Sequence, residues 1–241
     1  MTLLPLEGFS VGVTADRRWS EQAELLERRG ASVLHAPTIS TEYLASDDAL
    51  RAATDEVTAR PPDYLVATTG IGVRAWFDAA DAWGVADKLS ASLAAARVVT
   101  RGPKAAAAVQ VAGLEVWRSP DSERLDDVVA LLAAQPLRGC RVAFQHYGQH
   151  DPDAVAALTA FGADVINVPV YRYLPPPDDT RVVGLIDAVC SSQVDAVTFT
   201  SAPAVCFRVA AARPFGGVAA GFGPFTPLVV AGFCSGPFSV A

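Results

Sequence analysis

The sequence predicts an α/β protein built on parallel sheets. Three observations predict it. Short β-prone runs alternate with helix-length segments. The turns from run to helix are rich in Thr, Ser and Gly. The order of blocks in the first half of the chain recurs in the second.

The elements follow in order. Residues 9–14 read as a strand, and Ser20 can cap a helix over 21–29 with Leu25 and Leu26 on its apolar face. Gly30 closes that helix, and 32–36 form a second strand. Such a β-α-β unit builds a parallel sheet. Residues 37–45 read as a connector, and 48–60 as a helix ended by Pro61-Pro62. A buried strand over 64–69 runs through Gly70 and Gly72 into a helix with Val73, Trp76 and Phe77 at helical spacing. Another strand, 97–100, leads into Gly102-Pro103 and an alanine-rich helix closed by Gly113.

The repeat is visible residue by residue. Leu6-Glu7-Gly8 matches Leu137-Arg138-Gly139, residues 27–33 match 159–165, and 36–38 match 168–170. Residues 63–69 match 195–201, and Gly102-Pro103-Lys104 matches Gly223-Pro224 and the two residues after them. The order is kept, at offsets of 131, 132 and 121. We read two related α/β units of about 120 residues each.

The 241 residues leave room for one large domain or two small ones. At 51% apolar and 19% charged, the composition is that of a chain that folds on a core. A net charge of −7 and a pI near 4.9 disfavour broad nucleic-acid binding. No apolar run is long enough to span a bilayer, and the first residues do not resemble a secretory leader. Four scattered cysteines suggest neither a disulfide scaffold nor a zinc knuckle, so a cytoplasmic location is expected. Of the 19 cations, all but Lys88 and Lys104 are arginines.

Ligands of open parallel sheets sit beyond the carboxyl ends of the strands. Here those ends carry Thr14, Thr68, Thr69, Arg101, Gly102, Thr200, Ser201 and Gly223. Such turns expose backbone N–H groups at helix N-termini, which suits a ligand with several carboxylates. Residues 70–75 also fit G-x-G-x-x-A, the dinucleotide fingerprint. That fingerprint needs an acid at the end of the next strand, where this chain has Thr100 and Arg101, so dinucleotide binding is not expected. His146 and His150 stand four apart without an evident third ligand, and read as part of a polar loop and not as a zinc site.

Taken together these blocks resemble the uroporphyrinogen-III synthase family. The resemblance rests on Leu-x-Gly before a strand ending in Val13-Thr14, and on residues 63–66 running into Thr68-Thr69 and Gly72-Val73-Arg74-Ala75. It rests also on Gly102-Pro103, on Gly162-Ala163 leading to Val170-Tyr171, and on residues 197–201. It implies two similar doubly wound parallel-sheet domains joined by a two-stranded linker, with a cleft between them. Residues 1–38 and 174–241 would form the first domain and 43–168 the second, with crossings at 37–45 and 169–177. The run Pro175-Pro176-Pro177 fits a linker, since it cannot be a central strand.

The implied reaction needs no cofactor. Hydroxymethylbilane, a linear tetrapyrrole with eight carboxylates, loses its hydroxyl and closes with inversion of the terminal ring to uroporphyrinogen III. Porphobilinogen deaminase would supply the substrate to a cytoplasmic monomer. Tyr171 matches the family's tyrosine that assists departure of the hydroxyl. Ser201 and Thr226 match hydroxyl positions on one rim, and Thr69 and Lys104 stand at the equivalents on the other. Lys104 replaces the family's threonine. Arg74 and Arg101 are further candidates for carboxylate contact. The 28 residues after Arg213 carry no charge, so the resemblance implies an incomplete end to the first domain. The alternative reading is a catalytically inert relative that binds a tetrapyrrole or another polycarboxylate as a regulator.

Overall fold

The structure is a computed structural model, and it describes residues 4–148, 151–201, 204 and 228–230. The chain begins with β1 (Ser10–Val13), α1 (Trp19–Glu27), β2 (Ser32–His35) and β3 (Ser40–Tyr43). Next come α2 (Asp48–Ala59), β4 (Tyr64–Ala67), α3 (Gly70–Ala82), α4 (Ala86–Leu93), β5 (Arg97–Thr100), α5 (Pro103–Val111) and β6 (Val116–Arg118). It continues with α6 (Leu125–Ala133), β7 (Arg141–Gln145), α7 (Pro152–Ala160), β8 (Asp164–Val168), β9 (Tyr171–Leu174), α8 (Thr180–Cys190), β10 (Ala196–Thr198) and β11 (Leu228–Val230).

The chain divides into two compact units, residues 42–172 and, as far as described, 4–41 with 173–201, 204 and 228–230. The larger unit holds a five-stranded parallel sheet in the order β6-β5-β4-β7-β8. The chain lays β4, β5 and β6 outward in one direction, then returns to place β7 and β8 on the other side of β4. The order therefore reverses between β4 and β7, and ligands of such sheets bind beyond the carboxyl ends at that point. The smaller unit holds a four-stranded parallel sheet, β11-β10-β1-β2, which reverses between β1 and β10. β3 and β9 pair in a two-stranded sheet of their own.

β4 is buried at all four positions, as a central parallel strand with both faces covered should be. On one face Tyr64, Val66, Val99, Val142 and Phe144 pack against Val128 and Leu132 of α6 and Leu158 of α7. Elsewhere in the unit Trp76 of α3 is almost fully buried, and its Nε1 donates to Thr54 Oγ1 at 2.9 Å. At the amino end of β7 the buried Arg141 guanidinium reaches Glu56 at 2.6 Å and Asp164 at 3.2 Å, and donates to the Arg60 carbonyl. This network lies at the opposite end of β7 from the strand's carboxyl edge. It ties that strand to α2 and β8.

The repeat reappears as matched hydrogen bonds. Asp63 accepts the Arg141 amide on its carboxylate at 2.7 Å, and Asp195 accepts the Ser10 amide at 2.7 Å. α1 and α7 end alike. The Gly30 amide donates to Glu27 O and the Ala31 amide to Leu26 O; Gly162 donates to Thr159 O and Ala163 to Leu158 O. Both glycines take positive φ, +95° and +89°, which the closing turn requires. Before the matched strands β4 and β10 an Asx turn opens the helix: Asp47 accepts from Ala49 N at 2.8 Å, and Asp178 from Thr180 N at 3.0 Å.

Four details differ from the sequence reading. α1 starts at Trp19 behind a left-handed Arg18 (φ 52°), so Ser20 lies inside the helix and is not its cap. Arg18 pairs with Glu21 one turn on and supplies the fixed charge there. Within 37–45 the chain forms β3. Four elements are not in the sequence reading: α4, the three-residue edge strand β6 with its register shift, α6 and α8. The fourth is the pairing of Gly223-Pro224 with Gly102-Pro103. β11 stands beside β10 as β5 stands beside β4, yet residues 223–224 precede β11, whereas Gly102-Pro103 follows β5. Register overrides a two-residue match. Among the described residues no helix is long and apolar enough to cross a membrane.

Candidate functional site

The carboxyl edge of the five-stranded sheet, at the reversal between β4 and β7, gathers most of the predicted residues. β4 runs directly into Thr68 and Thr69, and Thr69 is the N-cap of α3. Its Oγ1 accepts from the Gly72 amide at 3.2 Å. Tyr171, the first residue of β9, is 2% exposed and brings its hydroxyl to 3.2 Å from Thr69 Oγ1. The phenol thus sits against a helix N-terminus, where partial positive charge favours an oxygen gaining negative charge.

Gln145, the last residue of β7, holds this turn from within. It is fully buried. Its Oε1 accepts from Thr68 N at 3.1 Å and Thr69 N at 3.2 Å. Its Nε2 donates to the His146 carbonyl and toward Thr69 Oγ1 at 3.5 Å. The Thr68 hydroxyl donates to the Gln145 carbonyl at 2.8 Å, so it closes the β4–β7 seam from a buried position.

The two glycines of the G-x-G pattern have packing reasons. A Cβ on Gly70 would lie 2.2 Å from the Lys104 carbonyl oxygen, and Gly70 thereby lets α3 meet α5. A Cβ on Gly72 would lie 2.1 Å from Gln145 Nε2.

Around this edge stand the predicted cations. Arg101 follows β5 and places its guanidinium 5.3 Å from the Tyr147 ring centroid. Tyr147 in turn donates to Asp151, the N-cap of α7, at 3.2 Å. Arg74 lies exposed as the fifth residue of α3, and Lys104 exposed in the first turn of α5. Gly102 caps α5, and a Cβ there would lie 2.8 Å from Glu123 Oε2. Glu123, itself left-handed at φ 57°, sets a negative charge beside that helix N-terminus.

In the other unit the edge is plainer. Thr14 is fully buried, and its hydroxyl donates to the Thr198 carbonyl at 2.6 Å. Thr200 is exposed and Ser201 half-buried in the turn after β10. Gly223 and Thr226 lie outside the described residues, as does His150. His146 lies in the loop after β7, as expected, and is buried there; its Nε2 bonds Asn167 Oδ1 at 2.9 Å. Among the described residues no group of three or more His, Cys, Asp or Glu could hold a metal ion.

The sequence reading missed Gln145 and Tyr147 as members of the edge. The available signal was a lone amide at the end of the otherwise apolar run Val142-Ala143-Phe144. A polar residue ending a buried strand asks for partners.

Comparison with known proteins adds a lineage. The model of the family described as uroporphyrinogen-III synthase HemD matches residues 20–229. A Bacillus subtilis protein named "Uncharacterized protein YjjA" is 28% identical over 200 residues, covering 82% of this chain and 72% of that protein. Among solved structures, a mutant uroporphyrinogen III synthase from the extremely thermophilic bacterium Thermus thermophilus is 31% identical with a TM-score of 0.69, over 84% of this chain and 77% of that one. A further structure of the Thermus thermophilus enzyme is 32% identical with a TM-score of 0.56, over 83% and 76%.

Proposed function

The chain belongs to the uroporphyrinogen-III synthase family, and from that membership we propose that it cyclises hydroxymethylbilane to uroporphyrinogen III. The observation that carries the proposal is the Thr69–Tyr171 pair. A buried phenol, 3.2 Å from a threonine that caps a helix, stands at the reversal point of a parallel sheet. Such a phenol can give its proton to a departing hydroxyl, which leaves as water. The phenolate that remains is stabilised by Thr69 and by the N-terminus of α3. The electron-rich pyrroles supply the electrons that expel the hydroxyl. The cationic methylene carbon is attacked by the substituted carbon of the terminal ring, giving the spiro intermediate that rearranges to the inverted ring. The proton lost when the new ring system becomes aromatic returns to the phenolate. Overall, one molecule of water is released.

Holding the chain for attack at the substituted carbon is the larger task, because positioning lowers ring-closing barriers substantially. On this reading Arg74, Arg101 and Lys104 receive substrate carboxylates, beside the Thr69 hydroxyl and the turn at Gly102. Thr200 and Ser201 would do the same from the turn after β10. Thr14 and Thr68 frame the strand ends. The accompanying domain reading takes residues 37–45 and 169–177 as crossings, supported by the separate pairing of β3 with β9.

The test is coupled turnover. Purified porphobilinogen deaminase and porphobilinogen would generate hydroxymethylbilane, and the oxidised products would be separated into isomers I and III. We expect isomer III well above the spontaneous background. Isomer I alone, from folded protein, would overturn the enzyme reading and leave a polycarboxylate-binding relative.

A further inference from the structure

We propose that Gln145 is a positioning residue that fixes the direction of the Thr69–Tyr171 hydrogen bond, making Thr69 the donor so that the phenol gives its own proton elsewhere. The inference rests on the synthase reading and deepens it.

The argument is one of hydrogen-bond capacity. A primary amide has two acceptor lone pairs and two N–H donors. Gln145 uses all four. Oε1 takes the amides of Thr68 and Thr69, while Nε2 gives one hydrogen to the His146 carbonyl and the other toward Thr69 Oγ1. The opposite orientation of the amide is forbidden, because it would turn an NH2 group toward two N–H donors and an oxygen toward a carbonyl. The orientation of Gln145 therefore follows from the backbone around it.

That orientation decides what Thr69 can do. Its hydroxyl has two acceptor sites and one proton. One site takes the Gly72 amide, at 3.2 Å, and the other takes Gln145 Nε2, at 3.5 Å. Both acceptor sites are then filled. With both sites so occupied, we assign the Thr69–Tyr171 contact at 3.2 Å as Thr69 O–H donating to the tyrosine oxygen. Two consequences follow. The phenol's own proton is not directed at Thr69, and the phenolate formed when that proton leaves already has a donor aimed at it. Without Gln145 the pair could reverse, with Tyr171 donating to Thr69. Gly72 belongs to the same device: any side chain there would strike Gln145 Nε2.

Two readouts test this. The first needs no substrate. The ultraviolet resonance Raman spectrum of the protein, minus that of Tyr171→Phe, isolates the C–O band of this phenol, whose position differs between accepting and donating phenols. We expect an accepting phenol in the wild type and a change toward a donating one in Gln145→Met. An identical band in the two proteins would overturn the inference. The second readout is kinetic. Gln145→Met should lower kcat about tenfold with KM within about twofold, and should cost nothing further in a Tyr171→Phe background. Equal losses in both backgrounds would make Gln145 merely structural. If Gln145→Met does not fold, Gln145→Glu serves. Its carboxyl, kept neutral by burial, still accepts from Thr68 and Thr69 on one oxygen and gives its single proton to the His146 carbonyl, so none is left for Thr69, and the same Raman change is expected. A wild type that forms no isomer III would remove the synthase reading, while the Raman comparison would still decide the direction of the bond.

Discussion

At matching positions in two parallel sheets, the chain places Gln145 and Thr14. Each follows the same register: Gln145 pairs opposite Ala67 on β4, and Thr14 follows Val13, which pairs opposite Thr198 on β10. Each is buried at the reversal of its sheet. The long amide crosses the seam and takes the two N–H groups of the next turn, whereas the short hydroxyl stops at the Thr198 carbonyl. The same strand frame thus yields a rim with an organised Thr69–Tyr171 pair in one unit. In the other it yields a rim whose Thr200 and Ser201 receive no such support from Thr14. A parallel-sheet frame specifies where a site can be, and the residue ending the strand beside the reversal specifies how rigidly its turn is held.

The largest effect should come from making the two rims alike. Gln145→Thr leaves the buried amides of Thr68 and Thr69 without their acceptor, at about 1–3 kcal/mol for each. Thr14→Val removes one hydroxyl that donates to a carbonyl still bonded by the Thr14 amide, at about 0.5–1.5 kcal/mol. Urea unfolding of the two variants measures both. Similar losses would mean that the amide is not holding its turn.

A second comparison concerns glycines in helices of the two units. Gly70→Ala drives a Cβ into the Lys104 backbone at 2.2 Å and should destabilise by about 1–3 kcal/mol. Gly184, exposed in α8, has open space around a new Cβ. Gly184→Ala should stabilise by about 0.5–1 kcal/mol through helix propensity. Thermal unfolding should show shifts of opposite sign.

The smallest effect separates the two Asx turns. At Asp178 the Thr180 hydroxyl, and then its amide, hold the carboxyl below its ordinary range. At Asp47 the matching residue is Ala49, which supplies only an amide. A depressed carboxylate contributes stability above its ordinary pKa and loses that contribution as pH falls through the folded value. Thr180→Val should therefore raise the Asp178 titration toward the ordinary carboxylate midpoint, followed by carboxyl-carbon NMR. An unmoved titration would mean that the hydroxyl plays no part.

Much of this is legible in the sequence. The β-prone runs at 9–14, 32–36, 64–69 and 97–100 became β1, β2, β4 and β5, because their turns carry strong local chemistry. Gly30 and Gly162 signalled helix ends that the positive φ angles then required. Thr69 was legible as a strand-end hydroxyl at the turn into α3. β6 was not, because three residues at a sheet edge with a register shift leave no periodicity to read. α1 begins two residues earlier than Ser20 suggests, because Arg18 takes a left-handed conformation that no residue preference announces. Gln145 was hidden for a different reason. Its partners lie 76 and 77 residues away, and only strand pairing brings them together.

The most direct test of the central claim is the kinetic split for Tyr171→Phe in the coupled assay. With the phenol acting as proton donor beside Thr69, isomer III formation should fall on the order of 100-fold in kcat, with KM within about twofold. A kcat equal to that of the wild type would contradict the account and move the chemistry away from this edge of the sheet.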